Sequence, residues 1–478
     1  MIRSLNMTKI VFGTDGWRGL IARDFTFDNV NIVAQAIGFY IKDTYKNRPV
    51  LIGYDTRFLA KEFALEVSNV MNQMGFDTLV SQNPIPTPVI AYSALAYKSA
   101  GAVMVTASHN PPQYCGIKYI PDYAGPATPD ITDEIVSNVK LVQEGSMKIK
   151  EGIEKGKMSY FDPKEQYFEE VKKLLVKEKF QDLKLKVAYD PLYATGLGYL
   201  NELLPAISKC EVTTIHDHQD PTFGGGMPDP NEKYLSELKD YVIKNGFDLG
   251  LANDGDADRF GVLDEKGHFY TPNQIISLLL RHLVKDRGFK GSVVRTVATT
   301  HLIDKLAKHY NVTLVETPVG FKYVGQQMRE SDVIIGGEES GGLSILGHIP
   351  EKDGILADLL VVEMLAYEQK SLSHIWQDLI TEVGYEPFNK RLDLHLNDED
   401  KKNFINTFKN QTPDHIGELK VTGSKTIDGV KLLFEDGNSW MLVRPSGTEP
   451  MVRVYLETDS KEKLTMLEKA VTAMLPNG

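Results

Sequence analysis

Three aspartates alternate with small residues in the segment NDGDADR, residues 253–259. In an extended or tightly looped backbone, the carboxylates of Asp254, Asp256 and Asp258 can converge on one hard cation. Packing three carboxylates between apolar runs costs free energy unless a counter-ion is present. A calcium EF-hand loop and a solvated acidic turn are the alternatives, but Arg259 stands at the sixth position, where an EF-hand needs glycine. The pattern favours a divalent cation, with Mg²⁺ as the expected ion.

Ser108 and His109 stand together in the segment TASHNPP, residues 106–112, and two prolines stiffen the turn behind them. The segment is not a GxSxG elbow, and no Ser/His/Asp triad order accompanies it. A hydroxyl opposite a metal-binding loop suits phosphoryl transfer better than acyl transfer, because phosphorylated Ser108 could complete the shell of the metal. Lys118 could serve as a proton shuttle or phosphate partner. A plain polar surface loop is the alternative interpretation.

The segment RPSGTEP, residues 444–450, has the composition of an anion-binding loop. Gly447 lets backbone N–H groups approach a ligand, and Arg453 could add a second guanidinium. The loop side chains that can donate to an anion are Arg444, Ser446 and Thr448. An ordinary turn is the alternative. The sequence contains no Walker P-loop, GxGxxG, HExxH or paired CxxC motif, which indicates that the phosphoryl group to be moved is already on the substrate.

The elements that must position these loops form a weak internal repeat. Three times, a β-branched apolar run is followed by a helical stretch, a second run, another connection and a third run. The first runs are residues 50–55, 185–190 and 292–297, the second are 77–81, 211–215 and 312–316, and the third are 101–105, 248–252 and 332–335. Strands that alternate with helices predict βαβ units and largely parallel sheets.

Each third run ends in a loop of small and polar residues: 106–112, 253–259 and GGEESGG, residues 336–342. Ligands bind outside the carboxyl ends of the strands in open α/β sheets. Three such loops could therefore surround one cleft. Ordinary strand-to-helix turns are the alternative interpretation.

The last part of the chain follows a different pattern. An amphipathic helix at residues 398–409 precedes strands at 431–434 and 440–443, which the turn EDGN joins as a hairpin. A strand at 452–457 and a helix at 461–475 follow. The predicted fold class is α/β: three similar mixed α/β domains, each with a sheet between helices, plus a smaller C-terminal α+β domain around a central cleft. The predicted domains are residues 1–155, 156–262, 263–380 and 381–478.

The chain has 478 residues, with 53 Lys and Arg against 65 Asp and Glu, a formal net charge of −12. This balance argues against a chain that coats nucleic acid or an anionic membrane, since both need clustered basic side chains. Cys115 and Cys210 form no disulfide framework, and no apolar run approaches the roughly 18 residues of a membrane helix. We therefore expect a cytoplasmic globular protein without nucleic-acid or membrane partners.

Taken together, the loops resemble those of the α-D-phosphohexomutases, the phosphoglucomutase/phosphomannomutase family. The resemblance runs almost end to end, from FGTDGWRG at residues 12–19 to RPSGTEP, with the four motifs in the family's order. The family fold is three similar α/β domains and a smaller α+β domain around a central cleft, which agrees with the repeat. The resemblance implies an isomerase-class phosphotransferase that uses Mg²⁺, acts on a hexose phosphate and is a monomer or homodimer.

The resemblance also implies roles for individual residues. Ser108 would be the phosphoserine, and an oxygen of its phosphate would bind Mg²⁺ together with Asp254, Asp256 and Asp258. The groups expected to flank the reacting phosphoryl group are Arg18, His109 and Lys118, with Lys118 as the acid/base candidate. The residues expected to grip sugar hydroxyls are Glu338 and Ser340. The non-reacting phosphate would be held by Arg444, Ser446, Gly447 and Thr448, and further substrate contacts would come from Arg259, Lys322 and Arg453.

The activity that the resemblance implies is that of a phosphoglucomutase. Such an enzyme interconverts glucose 1-phosphate and glucose 6-phosphate through a phosphoserine and glucose 1,6-bisphosphate, which is an intermediate and activator. Gly342 stands where many dual-specific members have histidine, and TPVGFK (317–322) and HIPEKDG (348–354) are similar to the glucose-preferring branch. Phosphomannomutase and phosphoglucosamine mutase are alternatives within the family. A non-catalytic phosphosugar- or cation-binding protein is the alternative from another class.

Overall fold

A computed structural model of the chain describes residues 10–13, 16–42, 44–45, 47–409, 412–445 and 451–475. Along these residues the strands form successive sheets, each with its own group of helices. The predicted fold class, mixed α/β units followed by an α+β unit, is confirmed. The limits of the four predicted domains remain predictions, because strand and helix bounds do not by themselves define where a domain ends.

The first sheet contains the strands that lead to the Ser108 loop. Its strands are β1 (Phe12–Gly13), β2 (Gly16–Leu20), β3 (Val50–Tyr54), β4 (Thr78–Ser81), β5 (Ala102–Val105), β6 (Tyr114–Ile120) and β7 (Met158–Phe161), in the order β1-β2-β6-β5-β3-β4-β7. Its helices are α1 (Phe27–Lys42), α2 (Ala60–Gln73), α3 (Thr87–Ala96) and α4 (Pro129–Gln143). Strand β3 is buried at every position and runs parallel to β4 and β5, as expected of a strand with helices on both faces.

The second sheet contains the strands that lead to the aspartate loop. Its strands are β8 (Lys186–Asp190), β9 (Glu211–Thr214), β10 (Leu249–Asn253), β11 (Phe260–Leu263) and β12 (Phe269–Tyr270), in the order β12-β11-β10-β8-β9. The accompanying helices are α5 (Lys164–Leu174), α6 (Lys177–Phe180), α7 (Leu200–Ile207) and α8 (Ser236–Asn245). Strands β8, β9 and β10 are parallel, as the repeat predicts.

The third sheet has the strands β13 (Ser292–Thr296), β14 (Thr313–Thr317), β15 (Val333–Gly337) and β16 (Leu343–Ile345), in the order β14-β13-β15-β16. Its helices are α9 (Pro272–Arg281), which a π-helical turn at His282–Asp286 extends, α10 (Leu302–His309), α11 (Phe321–Glu330), α12 (Gly354–Glu368) and α13 (Leu372–Val383). Helix α12 is buried from Gly354 through Ala366 and packs against elements of the second and third sheets. A helix that is apolar almost all round belongs in the core, where α12 joins the two sheets.

Each chemistry-bearing loop leads into an antiparallel strand, not into a helix. Strand β6 returns beside β5, β11 beside β10 and β16 beside β15. The sheets are therefore mixed, and the expectation of largely parallel sheets holds only for the repeated runs themselves. The sequence did not predict strands β6, β11 and β16, because each is a short apolar stretch that directly follows a Gly- or Pro-containing loop and has no strong strand pattern of its own. Both ends of each loop lie on neighbouring, hydrogen-bonded strands.

The fourth sheet is antiparallel throughout and completes the α+β unit. Its strands are β17 (Phe388–His395), β18 (His415–Ile416), β19 (Leu419–Lys425), β20 (Val430–Phe434), β21 (Trp440–Pro445) and β22 (Met451–Thr458), in the order β17-β22-β21-β20-β19-β18. The helices are α14 (Asp398–Lys409) and α15 (Lys461–Ala473). The predicted hairpin joins β20 to β21. Trp440, Leu442 and Tyr455 pack against Val297 and Ala298 of the preceding unit.

Within the part of the chain that the structure describes, none of the helices has the length and apolar character that crossing a membrane requires.

Candidate active site

Ser108 lies in the loop between β5 and β6, where its side chain is buried against the aspartate loop. Its hydroxyl donates to Asp254 Oδ2 at 2.7 Å. The two loops also meet through their backbones, because a Cβ at Gly255 would lie only 2.4 Å from the Ser108 carbonyl oxygen. Glycine at position 255 therefore permits the approach that brings the hydroxyl to the carboxylate.

The carboxylates of Asp254, Asp256 and Asp258 form one buried cluster. Each offers an oxygen, these oxygens lie within 4.8 Å of one another, and all three residues are 0% exposed. Among the described residues, Asp256 Oδ1 and Asp258 Oδ1 have no hydrogen-bond partner. Oxygen donors alone, two of them without partners, suit a hard cation such as Mg²⁺. The residues present therefore fit the metal that the sequence predicts.

The charges around the cluster move the pKa values of its members in opposite directions. Burial, together with the charges of Asp256 and Asp258, raises the pKa of Asp254 well above its ordinary value. Burial also acts to raise the pKa of Asp258, but Lys118 and Lys352 bring that pKa below its ordinary value. The ammonium groups of Lys118 and Lys352 thus keep Asp258 ionised, whereas Asp254 is pushed towards its protonated form.

Two lysines from outside the aspartate loop contact the cluster. Lys118, on β6, donates to Asp256 Oδ2 at 2.9 Å and to Asp258 Oδ2 at 3.0 Å. Lys352, between β16 and α12, has its Nζ 2.9 Å from Asp258 Oδ2. Sequence reasoning named Lys118 and missed Lys352, although the HIPEKDG segment that contains Lys352 was noted for its resemblance.

Gly342 provides the space through which Lys352 reaches the cluster. A Cβ at position 342 would lie 2.3 Å from Lys352 Cδ and 2.5 Å from its Cγ. Any side chain at position 342 would therefore push the lysine stem aside, and the ammonium would leave Asp258. The glycine in GEESGG and the lysine in HIPEKDG thus form one structural feature.

Thr87, the first residue of α3, is a further contact of the cluster that sequence reasoning missed. Its hydroxyl donates to Asp256 Oδ2 at 2.6 Å, and its backbone N–H donates to the Asp256 carbonyl oxygen at 2.8 Å. The contact joins the first unit to the second. No local pattern indicates it, because the two residues are far apart in the sequence.

Three of the predicted residues surround Ser108 and the aspartates. His109 Nδ1 lies 3.3 Å from Ser108 Oγ, and Arg18 Nη1 donates to Asn110 Oδ1 in the same loop. The backbone N–H of Arg259 donates to Asp254 Oδ1 at 3.0 Å. Burial, followed by the charge of Arg259, lowers the pKa of His109 well below its usual value, so the ring is uncharged near neutral pH.

The predicted sugar loop is the hairpin turn between β15 and β16. The N–H of Glu338 donates to the Gly342 carbonyl oxygen at 3.0 Å, and the N–H of Gly320 donates to Glu338 Oε1 at 2.9 Å. Burial, and after it the negative charge of Glu339, raises the pKa of Glu338 to about 7. Ser340 lies in the same turn. Lys322 is the second residue of α11, two residues beyond Gly320.

Arg444 and Arg453 stand directly opposite one another on β21 and β22. Arg444 Nε donates to Asp428 Oδ2 at 2.7 Å, while Arg453 Nε lies 3.8 Å from Asp393 Oδ1. Two neighbouring guanidinium groups are the expected geometry of a phosphate site. The other predicted members of this loop, Ser446, Gly447 and Thr448, lie outside the described residues.

Contacts join the predicted loops into one series. The Ser108 loop touches the aspartate loop directly, and the N–H of Phe260 donates to the Gly341 carbonyl oxygen of the sugar loop at 3.3 Å. The fourth unit joins through Asp428, whose Oδ2 accepts from the N–H of Val319 at 3.1 Å as well as from Arg444. The described parts of the predicted loops are thus linked to one another by direct contacts.

Comparison with protein families identifies every unit of the chain. The models for phosphoglucomutase/phosphomannomutase alpha/beta/alpha domains I, II and III match residues 9–145, 165–267 and 271–383. The model for the C-terminal domain of the same family matches residues 399–474. The chain belongs to the phosphoglucomutase/phosphomannomutase family. It is accordingly a phosphohexomutase, an isomerase-class phosphotransferase.

Individual relatives agree with this assignment over nearly the whole chain. A phosphoglucomutase/phosphomannomutase from Thermococcus kodakarensis is 30% identical over 95% of both chains. A probable phosphoglucosamine mutase from Methanosphaera stadtmanae is 31% identical over 98% of both chains. The crystal structure of a candidate phosphomannomutase from Thermus thermophilus superposes with a TM-score of 0.85 at 31% identity, covering 97% of this chain and 98% of that one.

Removing one charge from the cluster tests the metal site. In Asp256→Asn the shape of the side chain is kept, but an anionic oxygen ligand is lost. We expect the Kd for Mg²⁺, measured by isothermal titration calorimetry, to rise by at least about 10- to 100-fold, because losing a direct ligand costs no less than losing a residue that supports one. Asp240→Asn, an identical charge change on the exposed face of α8, is the control and should leave the Kd unaltered. Equal Mg²⁺ affinity in both variants would contradict the site.

Proposed function

We propose that the protein is a phosphoglucomutase that interconverts glucose 1-phosphate and glucose 6-phosphate. The observation that carries the proposal is the contact of the buried Ser108 hydroxyl with Asp254, inside a carboxylate cluster suited to Mg²⁺. Family membership supports phosphohexomutase chemistry in general, whereas the names of the relatives divide among glucose, mannose and glucosamine. The choice of glucose therefore rests on the residues of this chain.

In the proposed cycle, phosphorylated Ser108 gives its phosphoryl group to the free hydroxyl of the hexose monophosphate. The P–O bond to Ser108 breaks and a P–O bond to the sugar forms, which gives glucose 1,6-bisphosphate. This intermediate turns round in the cleft, and its other phosphoryl group returns to Ser108. Positioning and charge stabilisation supply most of the rate enhancement in such transfers. Mg²⁺ held by Asp254, Asp256 and Asp258 would supply charge neutralisation for the transferred group.

The proton balance requires one group that protonates Ser108 Oγ as the phosphoryl group leaves and one that accepts the proton of the sugar hydroxyl. We assign both transfers to Lys118, whose ammonium is buried beside the aspartates: it gives a proton to Ser108 Oγ as the P–O bond breaks, and the neutral amine so formed takes the proton of the sugar hydroxyl. The uncharged His109 can donate from Nδ1–H to Ser108 Oγ, whose own proton goes to Asp254, and so orient the hydroxyl. Arg18, bonded to Asn110, keeps positive charge at the edge of the same loop.

The turning of the intermediate requires a site that accepts the sugar in both orientations. In the proposal, Glu338 and Ser340 bind a pair of adjacent hydroxyls. The phosphate that does not react is gripped separately by Arg444, Arg453 and the loop of residues 446–448. Arg259, on the aspartate loop, and Lys322, at the start of α11, add positive charge along the path. Separate recognition of hydroxyls and phosphate allows either end of the bisphosphate to face Ser108.

The preference for glucose rests on the pairing of Gly342 with Lys352. With glycine at position 342, the Lys352 stem crosses that position and its ammonium reaches Asp258. The histidine of dual-specific members would take this space, so the two arrangements exclude one another. Phosphoglucosamine mutase is the second candidate function, which the name given to the Methanosphaera stadtmanae relative favours.

We further propose that the enzyme is cytoplasmic. Cys115 and Cys210 are both free and buried, as expected of a chain that does not depend on disulfides. A monomer or a homodimer remains the expected assembly.

Kinetics on glucose, mannose and glucosamine 1-phosphates, each with catalytic glucose 1,6-bisphosphate, test the proposed substrate. We expect kcat/KM for glucose 1-phosphate to exceed the other two values by at least about tenfold, because one misplaced group at the sugar costs about 1.4 kcal/mol or more. A higher value for glucosamine 1-phosphate would favour the second candidate function and contradict the first.

Two serine variants are the controls for this assay. Ser108→Ala should lose turnover on every sugar by about 10³-fold or more, since the covalent carrier of the phosphoryl group is gone. Ser159→Ala, at an exposed position of β7, should keep full turnover. Full turnover by Ser108→Ala would show that another residue carries the phosphoryl group.

The pKa of about 7 for Glu338 predicts a pH dependence of substrate binding. Above this pH the side chain is an ionised carboxylate that accepts from two sugar hydroxyls, and below it protonation removes acceptor capacity. We expect the KM for glucose 1-phosphate to rise about tenfold as the pH falls from about 8 to about 6. In Glu338→Gln this component should be missing, while the titration of the substrate phosphate remains. Identical profiles of KM against pH in both proteins would contradict the assignment.

A further inference from the structure

Arg57 is a buried arginine whose hydrogen bonds converge on the Ser108 loop. It follows β3 in the segment GYDTRF, and its side chain has no exposed surface. Nε donates to Asp55 Oδ2 at 3.0 Å. The remaining N–H groups donate to backbone carbonyl oxygens of the loop and of the first residue of β6, namely Ser108 (2.6 Å), Asn110 (2.6 Å), Pro111 (2.7 Å) and Tyr114 (3.0 Å). These bonds occupy all five N–H donors of the guanidinium.

The same network also binds the backbone N–H of Ser108. Thr106 donates its hydroxyl to Asp55 Oδ2 at 2.6 Å and accepts from the Ser108 N–H at 2.8 Å. The backbone of Ser108 has φ of +51°, a left-handed conformation that is costly for a residue with a Cβ. Both peptide groups of Ser108 are therefore fixed by bonds that originate in Asp55 and Arg57. A strained backbone of this kind persists only where its surroundings determine it.

We propose that Arg57, together with Asp55 and Thr106, is the positioning group that holds the Ser108 hydroxyl where phosphoryl transfer occurs. This role rests on the proposed function and adds to it a group that fixes the position of the Ser108 hydroxyl. Arg57 itself does not bind phosphate, because all its donors are used within the protein and its charge is neutralised by Asp55. Its effect on the reaction passes through the loop backbone.

Lysine cannot replace arginine in this role. Four loop carbonyl oxygens and one carboxylate point at the guanidinium, whereas an ammonium offers three donors and no planar fork. With lysine at position 57, at least two buried acceptors would lose their partners, and the loop would relax away from φ of +51° at Ser108. A misplacement of about 1 Å in a reacting group can cost about 10²-fold in rate.

Phe223 gives the network a link to the second unit. The Arg57 guanidinium carbon lies 4.9 Å from the centre of the Phe223 ring, in a cation–π contact. Because Phe223 belongs to the same unit as the aspartate loop, the Ser108 loop is supported from both sides of the boundary between the units.

The test compares Arg57→Lys with Arg287→Lys. Arg287 is a matched control, since it also donates to a backbone carbonyl oxygen (Leu174, 2.9 Å) and a carboxylate (Glu363, 3.2 Å) and stacks on a phenylalanine, but far from the site. Intact-mass spectrometry follows the transfer of a phosphoryl group from glucose 1,6-bisphosphate to each dephosphorylated protein. We expect Arg57→Lys to be phosphorylated about 10²-fold more slowly, with kcat lowered similarly and KM changed less than about threefold.

Arg287→Lys should keep the wild-type transfer rate, even if its Tm falls as much as that of Arg57→Lys. A wild-type transfer rate in Arg57→Lys would overturn the inference. If wild-type protein itself takes no phosphoryl group, the proposed function fails, which is a different outcome from a normal rate in both proteins.

If Arg57→Lys does not fold, a second pair of variants tests whether this network positions Ser108. Thr106→Val removes the hydroxyl that holds the Ser108 N–H but keeps the side-chain volume, whereas Thr106→Ser keeps the hydroxyl. We expect transfer to Ser108 to slow at least about tenfold in Thr106→Val and to recover in Thr106→Ser. Equal rates in the two Thr106 variants would overturn the inference.

Discussion

The burial of three like charges is the constraint on which the rest of the structure depends. The oxygens of Asp254, Asp256 and Asp258 lie within 4.8 Å of one another without solvent contact. Two unit charges at about 4 Å repel by about 4 kcal/mol at an effective dielectric constant near 20, so a cluster of three cannot stay ionised without cations. Lys118 arrives from the first unit and Lys352 from the third. The association of the units and the ionisation of the cluster therefore depend on one another.

The same constraint couples Ser108 to the cation. A phosphorylated Ser108 adds up to two negative charges beside Asp254, where the hydroxyl now donates at 2.7 Å. The phosphorylated loop would be repelled from the cluster unless a divalent cation lay between them. Phosphorylation and cation binding should accordingly favour one another, and by linkage the effect is reciprocal. The network around Arg57 limits how far the loop can retreat from this repulsion.

The sequence predicted the parts of the site that lie within single loops. The alternation of Asp254, Asp256 and Asp258, and the position of Ser108 after a buried strand, are local patterns that indicate a cluster and a hydroxyl. Helix α14 and the hairpin between β20 and β21 were likewise evident, because their signals are periodicity and a turn. What the sequence could not indicate was contact between distant positions: Lys352 over Gly342, Thr87 on Asp256 and Arg57 beneath the Ser108 loop. Return strands β6, β11 and β16 were missed because tertiary pairing, more than local propensity, defines them.

The coupling between phosphoserine and cation is the central claim, and calorimetry tests it most directly. Mg²⁺ is titrated into fully phosphorylated protein and into dephosphorylated protein, with Ser108→Ala, exposed to the same treatments, as the control. The account predicts that the phosphorylated form binds Mg²⁺ at least about tenfold more tightly, and that Ser108→Ala has one affinity after both treatments. Equal Mg²⁺ affinities of the phosphorylated and dephosphorylated wild-type forms would contradict the account.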